Sequence, residues 1–191
     1  HRHFRRQRQM CIRDSFKNVT QRVVVIAIVA IGMTMVIITA GIDLSVGSLV
    51  GLAAMTGAWF IKERVMASGG DPQDTANLTV LSGFLFAILC AGAFGLFSGA
   101  LVACCKVAPF IVTLGVMMIA RGLAEQANGG FTVSDTQLPA GFRELNHGAL
   151  VGIPNTMALL ILLYVVAHIF MTRTKYGRYI YAAVSYTHLT L

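Results

Sequence analysis

Five apolar stretches separated by short polar segments leave this chain few ways to fold. They run Arg22–Ala40, Ser45–Phe60, Thr79–Ala103, Pro109–Ala127 and Met157–Met171. Each lies near the length of about 20 apolar residues that carries a helix across the hydrocarbon core of a bilayer. In lipid a spanning segment must satisfy its own backbone polar groups, which a helix does within itself. Composition agrees: 56% of residues are hydrophobic and 12% charged, with a mean hydropathy of +0.72. That is the composition of a membrane chain rather than of a soluble core. The predicted fold is all-α, a polytopic transmembrane helical bundle with about five spans. Pro109 fits the first turn of the fourth span, where its missing N–H costs nothing. The fourth is the least apolar, because Thr113, Arg121, Glu125 and Gln126 interrupt it.

Between the first two spans stands Gly41-Ile42-Asp43-Leu44-Ser45-Val46-Gly47-Ser48. It sets a carboxylate, two hydroxyls and two glycines against apolar flanks. An ionisable group is costly in lipid, so it faces protein or water and marks a functional site. Helices interrupted by glycine and polar residues are also how transporters build a path for a solute. Asp43 or Ser45 could equally cap the first turn of the second span, since either side chain can accept from a free backbone N–H. The two roles are compatible.

This segment resembles the signature of the membrane-spanning permease subunit of bacterial ABC importers of the ribose type. Three further segments are similar in the same order. They are Gly32–Ile37, Pro109–Gly115 with Arg121-Gly122-Leu123, and Thr172–Ala182. The likeness runs from about Ser15 to Ala183. Met10–Ser15 and Val184–Leu191 instead resemble translated sequencing adapter. Residues 1–14 and 184–191 are therefore expected to be non-native, and 15–183 to be part of a permease transmembrane domain.

Setting the ends aside changes the charge. The whole chain carries 15 basic and 8 acidic residues; without residues 1–14 and 184–191 it keeps 10 and 7, or +3. A nucleic-acid reading needs a basic patch on a folded face, and none survives. The remaining basic residues orient the chain. Arg173, Lys175 and Arg178 follow the fifth span and Lys106 lies between the third and fourth. The positive-inside rule makes both of those sites cytoplasmic. The loops Ile61–Leu78 and Asn128–Thr156 then face outward. Lys17 and Arg22 oppose the rule mildly, and Lys62 and Arg64 in the first outward loop are offset only if Glu63, Asp71 and Asp74 count, which acidic residues do little in this rule.

The polar residues form three groups. Gly41, Asp43, Ser45, Gly47, Ser48, Thr113 and Arg121 are candidates for a translocation path or gate. Each also has a plainer reading. Ser45 and Ser48 can bond to nearby backbone, and Thr113 to its own helix. Arg121 and Glu125 are four apart, where an ion pair forms readily, or they can snorkel at the interface. Arg173, Lys175, Tyr176, Gly177 and Arg178 form the second group. The resemblance implies that they flank a short cytoplasmic helix that docks on the ATP-hydrolysing subunit, while basic anchoring alone would explain the cations. Gly47 with Gly51 and Gly95 with Gly99 have the four-residue spacing that lets helices approach closely in lipid. Ordinary packing within the chain is the simpler role for them. His168 reads as interfacial, and Met33, Met35, Met117 and Met118 as apolar filling. Cys90, Cys104 and Cys105 lack metal-ligand spacing and read as small packing residues. Asn146 and His147 lie in an outer loop without catalytic company.

No Gly-x-x-x-x-Gly-Lys-Ser/Thr phosphate loop, His-Glu-x-x-His metal motif or Gly-x-Ser-x-Gly nucleophile elbow occurs in the chain. The expected activity is therefore transport without covalent chemistry, with no cofactor and no metal of its own. The resemblance implies a bacterial inner-membrane location and a monosaccharide cargo such as ribose. It also implies three kinds of partner: cytoplasmic ABC ATPases that bind ATP, a periplasmic sugar-binding protein, and a second permease subunit, as a homodimer. The alternatives are a nucleoside, autoinducer or branched-chain amino acid as cargo, or an ion-coupled secondary transporter in which Asp43 couples the ion.

Overall fold

The computed structural model describes residues 2–39, 41–67, 69, 77–150 and 153–187. Within these, the side chains of 2–18, 20, 77, 135, 143, 146–147, 149–150, 153 and 183–187 are not described. Asp71 and Asp74 thus lie outside the described residues, as do the side chains of Asn146 and His147. The described chain is helical: α1 Arg2–Ile38, α2 Val46–Ala67, α3 Asn77–Cys105, α4 Pro109–Gln126, α5 Ala140–His147, α6 Asn155–Arg173 and α7 Lys175–Thr187. A two-residue antiparallel pair, β1 Ala149–Leu150 with β2 Ile153–Pro154, sets Ala149 opposite Pro154 and Leu150 opposite Ile153.

Each expected span falls on a helix. Gln21–Ile38, Leu78–Cys105 and Asn155–Arg173 are long and apolar enough to cross a membrane. The helices α2 and α4, with 22 and 18 residues, also have spanning length. They carry Lys62-Glu63-Arg64 and the Arg121–Glu125 pair near their ends, which dilute their hydropathy. None of the α6 span is buried within the chain, so its apolar surface is left for lipid or for other protein.

The chain divides into two compact units, residues 1–40 with 145–191 and residues 41–144. In the second, α2 packs on both α3 and α4. Gly57 and Gly83 let α2 and α3 approach closely. A Cβ on Gly57 would lie 3.0 Å from the Ala87 Cβ, and one on Gly83 would overlap the Ile61 side chain. Beside this crossing Phe60 stacks on Phe86 with ring centroids 4.7 Å apart. Gly47, Gly51, Gly95 and Gly99, expected as packing positions, make no close contact of this kind among the described residues. A Cβ at any of the four would meet nothing within 4 Å.

Two apolar clusters hold this unit. Leu52 meets Ala120 and Ala124, with Leu49, Met55 and Phe94 around them. Ile61 and Val65 meet Leu138, joined by Val133 and Phe142. The second cluster draws the segment after α4, with its 3-10 turn Asp135–Gln137, back over α2. In the other unit α6 packs on α1 and α7.

Candidate functional site

The interruption before α2 is built by Asp43. Its Oδ1 accepts from the backbone N–H of Ser45 at 2.8 Å and from the Ser45 hydroxyl at 2.6 Å. This is a turn closed two residues ahead by a carboxylate. Ser45 is fully buried, and its carbonyl accepts the Leu49 N–H at 2.9 Å, opening α2. Asp43 therefore does not cap α2 directly on an amide of its first turn. It holds Ser45, whose backbone begins the helix.

Thr113 in α4 comes to the same interruption. It is 5% exposed, and its hydroxyl lies 2.9 Å from the Pro109 carbonyl, 3.3 Å from that of Phe110 and 3.5 Å from that of Ile42. One hydroxyl carries one proton, and the shortest geometry gives it to Pro109. The local reading of Thr113 fits this distance, and the Ile42 carbonyl brings the interruption against α4.

Beyond this junction α2 and α4 border a cleft of about 540 Å³. Gly47, Ser48, Gly51 and Met55 line it from α2, at the spacing of a single helix face. Met117, Arg121, Ala124 and Glu125 line it from α4, and Gly130-Phe131-Thr132 close one side. Arg121 Nε stands 3.6 Å from Glu125 Oε1, with both side chains more than 70% exposed. Such a pair contributes roughly 0–1 kcal/mol to stability; its importance is the polarity it lends the cleft. The structure thus brings Gly47, Ser48 and Arg121 together. Gly41, Asp43, Ser45 and Thr113 stand at the junction beside it and do not line it.

The end of α4 positions Phe131. The Gly130 N–H bonds the Glu125 carbonyl and the Gly129 N–H bonds that of Gln126, while both glycines have positive φ, 63° and 82°. This is the Schellman ending of a helix, which needs a residue free to turn left-handed. Asn128 Nδ2 then donates to the Phe131 carbonyl at 2.9 Å, and Lys62 Nζ from α2 donates to Asn128 Oδ1 at 2.9 Å. The sequence reading did not select Phe131, Asn128 or Lys62. The Gly129-Gly130 pair after an apolar helix was the available signal for the turn; nothing local signalled the Lys62 contact, 66 residues from its partner.

The second candidate group lies in the other unit, at the corner of α6 and α7. Thr174 is extended between them (φ −97°, ψ 159°). Its hydroxyl donates to the Phe170 carbonyl at 2.7 Å and accepts the Gly177 N–H at 3.2 Å. One side chain therefore closes α6 and caps α7. Gly177 is buried, and a Cβ there would overlap the backbone of Met171. Phe170 and Tyr176 lie nearly parallel, with centroids 6.3 Å apart. Arg173, Lys175, Tyr176 and Arg178 are exposed around this corner. Thr174 was also missed, although Thr-Lys-Tyr-Gly has the form of a capped helix start.

Among the described residues no group of His, Cys, Asp or Glu is placed to hold a metal ion. Residues 15–185 match the family described as branched-chain amino acid transport system, permease component. The chain is 36% identical to a probable ABC transporter permease protein, y4mJ, of Sinorhizobium fredii over 175 residues, covering 90% of this chain and 47% of that one. It is 35% identical to the ribose import permease protein RbsC of Escherichia coli K12 over 167 residues, covering 86% of this chain and 48% of that one. It is 32% identical to the autoinducer 2 import system permease protein LsrC of Yersinia enterocolitica over 158 residues, covering 83% and 40%. The chain spans about half the length of the curated relatives it matches. No solved structure matches it. With its membrane-competent apolar helices and a match over nearly its whole length, the chain belongs to this family of membrane transport permease components.

Proposed function

We propose that the chain is the transmembrane part of an ABC importer permease that moves a sugar, a monosaccharide such as ribose, across the bacterial inner membrane. The observation that carries this reading is the cleft between α2 and α4. It joins Gly47 and Ser48 of the first turn of α2 to Arg121, Glu125 and Phe131. A path for a sugar calls for hydrogen-bonding groups on a wall that is otherwise apolar, and this cleft has that make-up. The names of the ribose and other importer relatives support the cargo class. In this reading a periplasmic binding protein delivers the sugar, and two cytoplasmic ATPases bind the ATP. Two permease subunits, as a homodimer, enclose the path. The permease does no covalent chemistry and carries no ATPase site of its own. Nucleotide binding favours one packing of the helices and its release another.

The test is uptake of labelled ribose by proteoliposomes containing a full-length permease with this segment, its ATPase and its binding protein. ATP-dependent uptake that unlabelled ribose competes away is expected. Competition by autoinducer 2 alone would move the cargo to that second reading, which the similarity to LsrC favours. Uptake driven by an ion gradient without ATPase would instead point to a secondary transporter. Asp43→Asn separates charge from structure at the interruption, since an amide oxygen can still accept from Ser45. Loss of uptake with normal membrane insertion is the expected result; normal uptake would exclude an essential charge at Asp43.

A further inference from the structure

The unit made by α1, α6 and α7 contains a groove of about 610 Å³ that no part of the proposed path uses. Its walls include Ala27 and Met35 of α1, Leu160, His168 and Met171 of α6, and Tyr181 of α7. From Leu160 to Met171 the helix rises about 16 Å at 1.5 Å per residue. That is close to half of a hydrocarbon core of about 30 Å, the depth of one leaflet. The groove therefore matches an acyl chain from a single leaflet in both length and polarity.

One end of the groove is chemically distinct. Met171 and Tyr181 line it beside the α6–α7 corner, where Arg173, Lys175 and Arg178 stand. Between Asn155 and Thr187 there is no Asp or Glu. All three cations are exposed. Arg178 precedes Tyr181 by three residues, one turn, and so shares its side of α7. Tyr176 and Tyr179 are each 67% exposed and Tyr181 51%. Tyrosines so placed sit at headgroup level. The Thr174 and Gly177 contacts hold the corner in shape, so the backbone that carries the cations is set before any ligand arrives.

We propose that this groove binds one anionic glycerophospholipid, with an acyl chain between α1 and α6 and its phosphate among Arg173, Lys175 and Arg178. Charge complementarity selects the headgroup. Basic pockets beside spanning helices favour anionic lipids, and a choline headgroup would add a fourth cation to the cluster.

The test is native mass spectrometry of a purified full-length permease with this segment in detergent micelles, with phosphatidylglycerol or phosphatidylcholine of the same chain length. Preferential retention of phosphatidylglycerol is expected, by roughly tenfold or more given several basic residues at one headgroup. The combined variant R173Q, K175Q and R178Q should abolish the preference. Should circular dichroism show that this variant loses helix, the single variants R178Q and K175Q are read instead, each with a reduced preference. Ala167→Phe, which fills the groove and leaves every cation in place, should lower retention of phosphatidylglycerol. Equal retention of the two lipids by the wild-type permease would overturn the proposal. So would an unchanged preference in the charge variants, or undiminished binding to the filled groove. None of these readouts depends on the cargo or on transport.

Discussion

Gly177 is the residue at which a single methyl should matter most. An alanine Cβ would collide with the Met171 backbone, which cannot move without bending α6. Gly177→Ala is expected to destabilise the α6–α7 unit by about 1–3 kcal/mol, the usual range for overpacking. Gly83→Ala meets the far atoms of Ile61 instead. A side chain can rotate where a backbone cannot, so its cost should be smaller. Gly95→Ala meets open space and should leave stability within about 0.5 kcal/mol, as surface changes do. Thermal unfolding of the three variants in one detergent checks the order; a Gly95 variant as damaged as the Gly177 variant would contradict the open space beside Gly95. Arg121→Ala belongs to the same scale. With both partners so exposed, stability should change by no more than about 1 kcal/mol, while uptake by a full-length permease falls because the cleft loses its cation.

The ends of helices decide more than their middles. The start of α7 depends on Thr174, which bonds forward to Gly177 and back to Phe170. Thr174→Val keeps the shape and removes both bonds. A loss of about 1 kcal/mol is expected, with faster hydrogen exchange at the Gly177 amide as the specific sign. Unchanged exchange there would mean that the cap is not formed in solution. At the start of α2, Asp43→Ala should cost more than Asp43→Asn, because only the amide retains an acceptor for Ser45. Chemical unfolding of the pair measures that difference. Much of this level was legible in the sequence. Pro109 announced the first turn of α4, and Gly41–Ser48 announced a break between α1 and α2. The role of Asp43 was legible only as a choice among caps, since a carboxylate that bonds two residues ahead uses the same residue type as one that bonds a helix amide.

Across the whole chain, the cleft and the groove lie in separate units, and each can be tested without the other. Filling the cleft provides a direct check. Gly51→Leu projects a side chain where a Cβ meets nothing, so the fold should persist while uptake drops. Retained helicity with blocked transport is the expected pairing, and full uptake would remove the cleft from the path. Hydropathy and residue order alone determined the all-helical membrane fold, the break before α2 and the family, because these depend on properties that a segment carries by itself. Tertiary structure decided which faces meet. Gly57 and Gly83 became the close contact of α2 and α3 while the spaced glycines 47, 51, 95 and 99 were left open. Likewise Lys62 found Asn128, and Ser48 came to share a cleft with Arg121 and Phe131. Helix rotation about its own axis chooses such partners, and that rotation is set by the side chains of the neighbouring helix, far away in sequence.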